Sequence, residues 1–411
     1  MIGIQFRKSI PRYFALRIIG PRWPGIYSGF ASSIALRRLP EPPLPTPQWV
    51  RVRPLLSGIC GSDLATICAK GSPYFSPLTS TPFVVGHEVV GTIAEVGAEV
   101  EGLQTGDRVV IQPALGCRVR NIEPPCGACA SGQLALCRNV TRGTISAGIQ
   151  TGFCRDTGGS WSESFVAHTS QVYAVPSQLE NEEAVLTEPF ACALHAVLRA
   201  QPHDRETVLV VGCGAVGLLV IAAIRALGSA ARIVAVAKYQ HQAEHARRLG
   251  ANQVLMHQRD VVTRYAMIAE ALGAELHPPE IGKPTVLGGA DVTFDCVASS
   301  ASIDDSVRCT TGGGKMVLVG MPAMPSGIDW TSIWYKELSV HAAYAYGQEE
   351  YGGQTRMTFD LALEMLTQNG AAVRRLVGEP FALHDYREAV HTALSTGRTE
   401  SVKTVFRIQS D

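Results

Sequence analysis

Metal-binding side chains fall close together in one stretch of the chain: Glu123, Cys126, Cys129 and Cys137, spaced E-x2-C-x2-C-x7-C. Thiolates this near one another, in a run loosened by Gly127 and Gly132, can converge tetrahedrally on Zn²⁺ and staple a lobe that has no core of its own. Two cysteines at that offset arise by chance. Three, with a carboxylate keeping the same step, point to a metal lobe rather than to buried free thiols. Cys117 competes with Glu123 for the fourth place, since thiolate binds zinc well, but only Glu123 keeps the short spacing. The spacing therefore favours Glu123. A site closed by four protein ligands is structural rather than catalytic.

A second constellation is dispersed: Cys60 and Ser62 in Gly58-Ile-Cys-Gly-Ser-Asp63, then His87-Glu88 between Gly86 and Gly91. Each fragment by itself also fits a hydrogen-bonded histidine or a small core thiol. A third is a glycine loop, Gly212-Cys-Gly214-Ala-Val-Gly217, directly after an apolar run and before a helical pattern. Such glycines allow a tight turn and a close approach of pyrophosphate to a helix N-terminus. Methyltransferases and flavoproteins use similar loops, but the strand–loop–helix context favours a dinucleotide. The following strand should end in an acid for the ribose hydroxyl of NAD. Ala237 stands there instead, followed by Lys238. This favours the 2′-phosphate of NADP, unless Lys238 is a solvated loop lysine.

These residues need elements to position them. Up to about residue 185 short strands alternate with Gly and Pro, as in 49–53, 89–96 and 108–112, and a Pro-rich connection spans 39–47. Near Glu188 the pattern changes: Phe190, Ala193, Leu194 and Val197 mark an amphipathic helix. Strands are then expected at 208–211, 233–237, 254–255, 292–295 and 315–319. Helices are expected from 216, over 240–249 and 261–272, and through 307. Strands and helices alternating in this way predict a doubly wound parallel sheet, an α/β fold. After about 338 mixed structure returns, with helices near 359–366 and 385 and a last strand at 402–408. The expected division is 1–187, with a metal lobe at 117–139, then 188–338, with 339–411 folding back on the first part.

Composition narrows the function. The chain has 411 residues, 46% hydrophobic and 18% charged, with 36 Lys and Arg against 36 Asp and Glu. A net charge of zero supplies no field for nucleic acid or an anionic membrane, so neither is expected as a partner. The uncharged run 207–224 is long enough to span a bilayer, but its glycines suit a strand, turn and helix instead. The first twelve residues carry Arg7, Lys8 and Arg12 without an apolar signal core. Eleven cysteines, an odd number unevenly spread, read as cytosolic thiols or metal ligands, so a cytoplasmic location is expected.

Taken in order, Gly-Ile-Cys60-Gly-Ser62-Asp63, Gly86-His87-Glu88, the cysteine lobe, Thr187-Glu188-Pro189 and the glycine loop resemble the zinc-dependent medium-chain dehydrogenase/reductase superfamily. The Glu-Pro pair is most similar to its sorbitol, threonine and glucose dehydrogenase branch. The likeness covers roughly 45–408. It implies a GroES-like β-barrel catalytic domain, an inserted Rossmann domain, two zinc ions per chain, and a cleft for substrate and nicotinamide. It further implies an alcohol or polyol dehydrogenase of small substrates, assembled as a homodimer or homotetramer.

By the same resemblance Cys60 and His87 are catalytic zinc ligands, and Glu88 and Glu188 supply the remaining carboxylate, one ligating while the other lies adjacent. Charge supports that division, because one thiolate and one carboxylate already neutralise Zn²⁺. Asp63 would fix the far nitrogen of His87. Ser62 would pass the substrate proton outward, or else serve as a turn hydroxyl. Relatives with a relay histidine carry it where this chain has Ala65. Lys403 falls where relatives place a basic residue near the pyrophosphate, although a surface lysine fits that position as well. The rival reading is a zinc- and dinucleotide-binding sensor or scaffold without turnover. The full set Cys60, His87, Glu88 and Glu188 counts against it, since a scaffold needs no open zinc site.

Overall fold

Frequent Gly and Pro keep the strands of the first part short, and the computed structural model has this character; it describes residues 1–29 and 31–408. The chain divides into two units, Met1–Glu188 with Tyr346–Asp411, and Pro189–Ala345.

The first unit starts with β1 (Ile2–Phe6), β2 (Ile34–Arg38), β3 (Trp49–Gly58) and β4 (Phe83–Val84), followed by β5 (Val89–Val96), β6 (Arg108–Ile111), β7 (Phe165–His168) and β8 (Val172–Ala174). β1 is the middle strand of a small sheet between β2 and β4. β3 runs antiparallel to both β5 and β7, and β5 continues the sheet to β6 and β8. Alternating residues Val50, Val52, Val89, Ile93, Val109 and Ile111 face inward together, as the two-residue period of a half-buried strand requires. The helix Gly61–Ile67 leaves β3 immediately.

The second unit holds β9 (Thr207–Val211), β10 (Arg232–Ala237), β11 (Gln253–Met256), the hairpin β12 (Glu275–His277) and β13 (Thr285–Leu287), then β14 (Ala290–Asp295), β15 (Thr310–Leu318) and β16 (Ser339–Ala342). Its sheet is ordered β11-β10-β9-β14-β15-β16, and every pair is parallel. This is the doubly wound arrangement expected from the alternation of strands and helices. The returning segment forms the hairpin β17 (Gln348–Tyr351) and β18 (Gln354–Met357), the helix Thr358–Arg374, β19 (Phe381–Ala382), the helix Tyr386–Leu394 and β20 (Val405–Arg407). β20 pairs antiparallel with β3, Val405 opposite Gly58.

Three features differ from the expectation. β16 joins the parallel sheet, which carries the second unit past residue 338 to Ala345. The hairpin of β12 and β13 follows the helix Val261–Leu272. The helix Ile10–Ile19 lies between β1 and β2, ahead of the recognisable motifs.

Candidate metal centres and dinucleotide loop

The end of β3 and the start of β5 deliver the dispersed set to one place. Cys60 caps the helix Gly61–Ile67, and His87-Glu88 lead into β5. Donor atoms of Cys60, His87 and Glu88 all lie within 4.8 Å of one another. One oxygen of Asp63 accepts the Cys60 N–H at 3.0 Å, and the other faces His87 Nδ1 at 3.4 Å. Asp63 is fully buried. Burial works against a charged imidazole, but the Asp63 carboxylate, with Cys60, outweighs it and raises the His87 pKa well above its usual range. With Nδ1 turned to Asp63, Nε2 is the nitrogen available to a metal. The Ser62 hydroxyl is sheltered and has no hydrogen-bond partner among the described residues, so it is not engaged as a turn hydroxyl.

Lys403 is not a surface lysine. It is buried, its Nζ is ion-paired with Glu88 and it donates to the Ile59 carbonyl at 3.2 Å. The pairing of β20 with β3 brings it there. Burial penalises the ammonium, but Glu88, Cys60 and Glu188 together hold its pKa above the ordinary value. Glu188, itself buried, therefore acts electrostatically on this centre. Gly58 is required by close approach: a Cβ there would fall 2.0 Å from Glu88 Oε2.

The second cluster consists of Cys117, Cys126, Cys129 and Cys137, their sulfurs likewise mutually within 4.8 Å. Glu123, favoured by spacing, is exposed and stands outside the cluster. The reason is a turn. Ile122 N–H donates to the Cys117 carbonyl at 3.0 Å, reversing the chain so that Cys117 faces Cys126, whose N–H donates to Cys117 Sγ at 3.3 Å. Each of the four sulfurs accepts an N–H: Cys117 N–H to Cys129, Arg138 N–H to Cys126, and Asn139 N–H to Cys137 complete the set. Burial opposes ionisation of Cys126, but the Arg138 N–H and its neighbours lower that thiol to about 6. Burial pushes Cys137 up to about 11. Beneath the lobe, the buried guanidinium of Arg120 donates to the carbonyls of Leu115, Arg142 and Gly148 at 2.6–2.9 Å. Sequence inspection missed Arg120, because no local pattern marks a buried arginine.

In the second unit, Gly212 ends β9 at φ +93° and Gly214 caps the helix Ala215–Ala226. A Cβ on Gly217 would lie 1.9 Å from the Gly212 carbonyl oxygen, so glycine is required where the helix packs on the turn. A Cβ on Gly214 would meet nothing within 4 Å, leaving the loop open on that side. Lys238 is exposed past the end of β10, its Nζ 5.3 Å from the Tyr239 ring centroid. Among the described residues no helix is long and apolar enough to cross a membrane.

The alcohol dehydrogenase GroES-like domain family matches residues 46–177, and the zinc-binding dehydrogenase family matches 215–368. The chain belongs to the zinc-dependent medium-chain dehydrogenase superfamily. This dehydrogenase is 29% identical over 364 residues to L-idonate 5-dehydrogenase of Vitis vinifera, covering 88% of each chain. It is 29% identical over 367 residues to sorbitol dehydrogenase of Arabidopsis thaliana, covering 88% and 89%. The crystal structure of 2R,3R-butanediol dehydrogenase from Bacillus subtilis superposes with a TM-score of 0.70 at 27% identity, covering 92% of this chain and 96% of that one. The dehydrogenase is accordingly an oxidoreductase that moves hydride between a CH–OH group, or its carbonyl, and a nicotinamide coenzyme.

Proposed function

We propose that Cys60, His87 and one carboxylate of the pair Glu88 and Glu188 hold a catalytic Zn²⁺, and that Cys117, Cys126, Cys129 and Cys137 hold a structural one. The observation that carries this reading is the contrast in donor sets. A half-buried thiol meets a buried imidazole and a buried carboxylate in one cluster, and four sulfurs, each already accepting an N–H, meet in the other. The first set leaves a position for substrate and the second closes the metal off. When bound in the first, zinc lowers the pKa of an alcohol hydroxyl and polarises the carbonyl product.

The chain's own residues supply the rest. Asp63 orients His87 from behind. Ser62 Oγ, sheltered and unpaired, is free to accept the substrate proton and hand it on. Lys403 balances the second carboxylate: zinc with Cys60 and one glutamate is neutral, the other glutamate makes the site negative, and the buried ammonium on Glu88 restores neutrality. Glu88 is the carboxylate that clusters with Cys60 and His87, while Lys403 on Glu88 offsets the charge of the second glutamate whichever of the two ligates.

The open Gly214 loop and helix N-terminus favour a dinucleotide, and exposed Lys238, with no acid at Ala237, favours NADP over NAD. Alcohols and polyols are the substrate class. The exposed Trp334 and the terminal position of β16 in its sheet support a homo-oligomer. Eleven free thiols favour a cytoplasmic setting.

The test follows reduced-coenzyme absorbance across alcohols, polyols, aldoses and β-hydroxy amino acids with NADP⁺ and NAD⁺, with and without a chelator, alongside a zinc count. Chelator-sensitive turnover with two zinc ions per chain is expected, as is a rise of about tenfold in KM for NADP⁺ alone in Lys238→Ala. Chelator-resistant turnover, or no turnover by zinc-loaded protein, would overturn the catalytic assignment.

A further inference from the structure

The first forty residues hold seven of the 36 Lys and Arg and none of the 36 Asp and Glu, so the neutral chain conceals a cationic end. Residues 7–29, between β1 and β2, carry five of those cations. The helix Ile10–Ile19 presents two apolar faces. Leu16 enters the core beside Ile4 and Ile34, and Tyr27 packs over Gly20, where a Cβ would fall 2.1 Å from the phenol oxygen. On the other face Ile10, Phe14 and Ile18 recur at i, i+4 and i+8, with exposures of 66%, 57% and 64%. Trp23, just beyond the helix, is 74% exposed. Arg7, Lys8, Arg12, Arg17 and Arg22 belong to the same short segment as this stripe, and none forms an ion pair among the described residues.

We propose that this segment docks the enzyme on the surface of an anionic phospholipid bilayer. An apolar helical stripe with an aromatic anchor and cations in the same segment lies in the plane of a headgroup layer, burying the stripe while the cations meet lipid phosphates. A second copy is the poorer occupant, because a two-fold contact would oppose the same cationic patch to itself. A nucleic acid would satisfy the cations and leave the Ile10, Phe14 and Ile18 stripe in water. The expectation of no membrane partner came from the net charge of the whole chain, which averages over this asymmetry. The proposal is independent of which zinc ligands and coenzyme the enzyme uses.

The full-length enzyme is sedimented with vesicles of phosphatidylcholine, with and without phosphatidylglycerol, at low and high salt. Expected is at least about tenfold greater partitioning to the anionic vesicles, lost at high salt, with a blue shift in emission that Trp23→Phe removes. Phe14→Asp and Ile18→Asp should each reduce partitioning at least about tenfold while circular dichroism and turnover stay unchanged, because both side chains are exposed. Arg12→Gln combined with Arg17→Gln and Arg22→Gln should weaken it without touching the stripe. Equal partitioning to neutral and anionic vesicles, or none to either, would overturn the proposal. So would oligomers that Phe14→Asp dissociates, or RNA binding that survives that substitution.

Discussion

The two cysteine-containing centres of the first unit are built on opposite plans. The lobe gathers four cysteine sulfurs from a span of 21 residues, and backbone N–H groups within the same loop orient the sulfurs. The other centre draws Cys60 from the end of β3, His87 and Glu88 from the start of β5, and a cation from beside β20. The first is a closed staple whose parts are local. The second is an open, mixed set whose charge balance depends on long-range pairing. The centres should therefore fail differently when cut: the lobe through stability, the mixed site through chemistry.

The largest effect tests that separation directly. Cys60→Ser should reduce turnover about a thousandfold or more, equivalent to about 4 kcal/mol of barrier, while bound zinc falls from two ions to one. Thermal unfolding should move little, since the lobe is untouched. A variant that lost both ions together would show that the centres are not independent.

Next is the identity of the lobe's fourth ligand. Cys117→Ser should lose the lobe zinc and lower the melting temperature by about 10 °C, whereas Glu123→Ala should keep both. The reverse pattern would restore the ligand favoured by spacing. Lys403→Met should follow in size. Leaving Glu88 buried without its cation should cut turnover about 10–100-fold and weaken retention of the catalytic zinc, with Lys403→Arg recovering part of the loss. Unchanged zinc retention and turnover in Lys403→Met would remove the charge-balancing role.

What was legible in the sequence follows the same division between local and distant. Cys126, Cys129 and Cys137 announced a metal lobe because their spacing is the geometry. Cys117 lost to Glu123 because a turn, not a spacing, returns it to the cluster. Cys60, His87 and Glu88 were readable only through a family likeness, since the sheet that joins β3 to β5 is not written between them. Lys403 stands 315 residues after Glu88, and nothing local couples an isolated lysine to a glutamate at that distance. The parallel sheet was legible from periodicity up to β15. The short run Ser339–Ala342 lacks a strong pattern and becomes a strand through pairing with β15. The helix Ile10–Ile19 escaped notice because Pro11 and the glycine and proline after it resemble loop punctuation.

The smallest expected effect separates acid loss of the lobe zinc from acid loss of the fold beneath it. His168, at the end of β7, lines a cavity of about 430 Å³ with Arg118, Val119, Asn121 and Glu123 from the base of the lobe. Its Nδ1 accepts the Ser170 N–H at 3.1 Å, and the ring packs edge-on against Trp49. Burial first, and Arg118 second, lower its pKa from 6.5 to about 4. The folded protein thus binds fewer protons at this site than the unfolded chain between those values. Stability should fall as pH drops from about 6.5 to about 4, by at most about 1.4 kcal/mol per pH unit, and this contribution should level off below that. His168→Gln should flatten the decline seen in denaturant titrations while leaving acid release of the lobe zinc unchanged, because that release is set by protonation of the thiolates. If His168→Gln changed zinc release and not the slope of stability, the histidine would belong to the lobe's metal chemistry rather than to the packing that supports it.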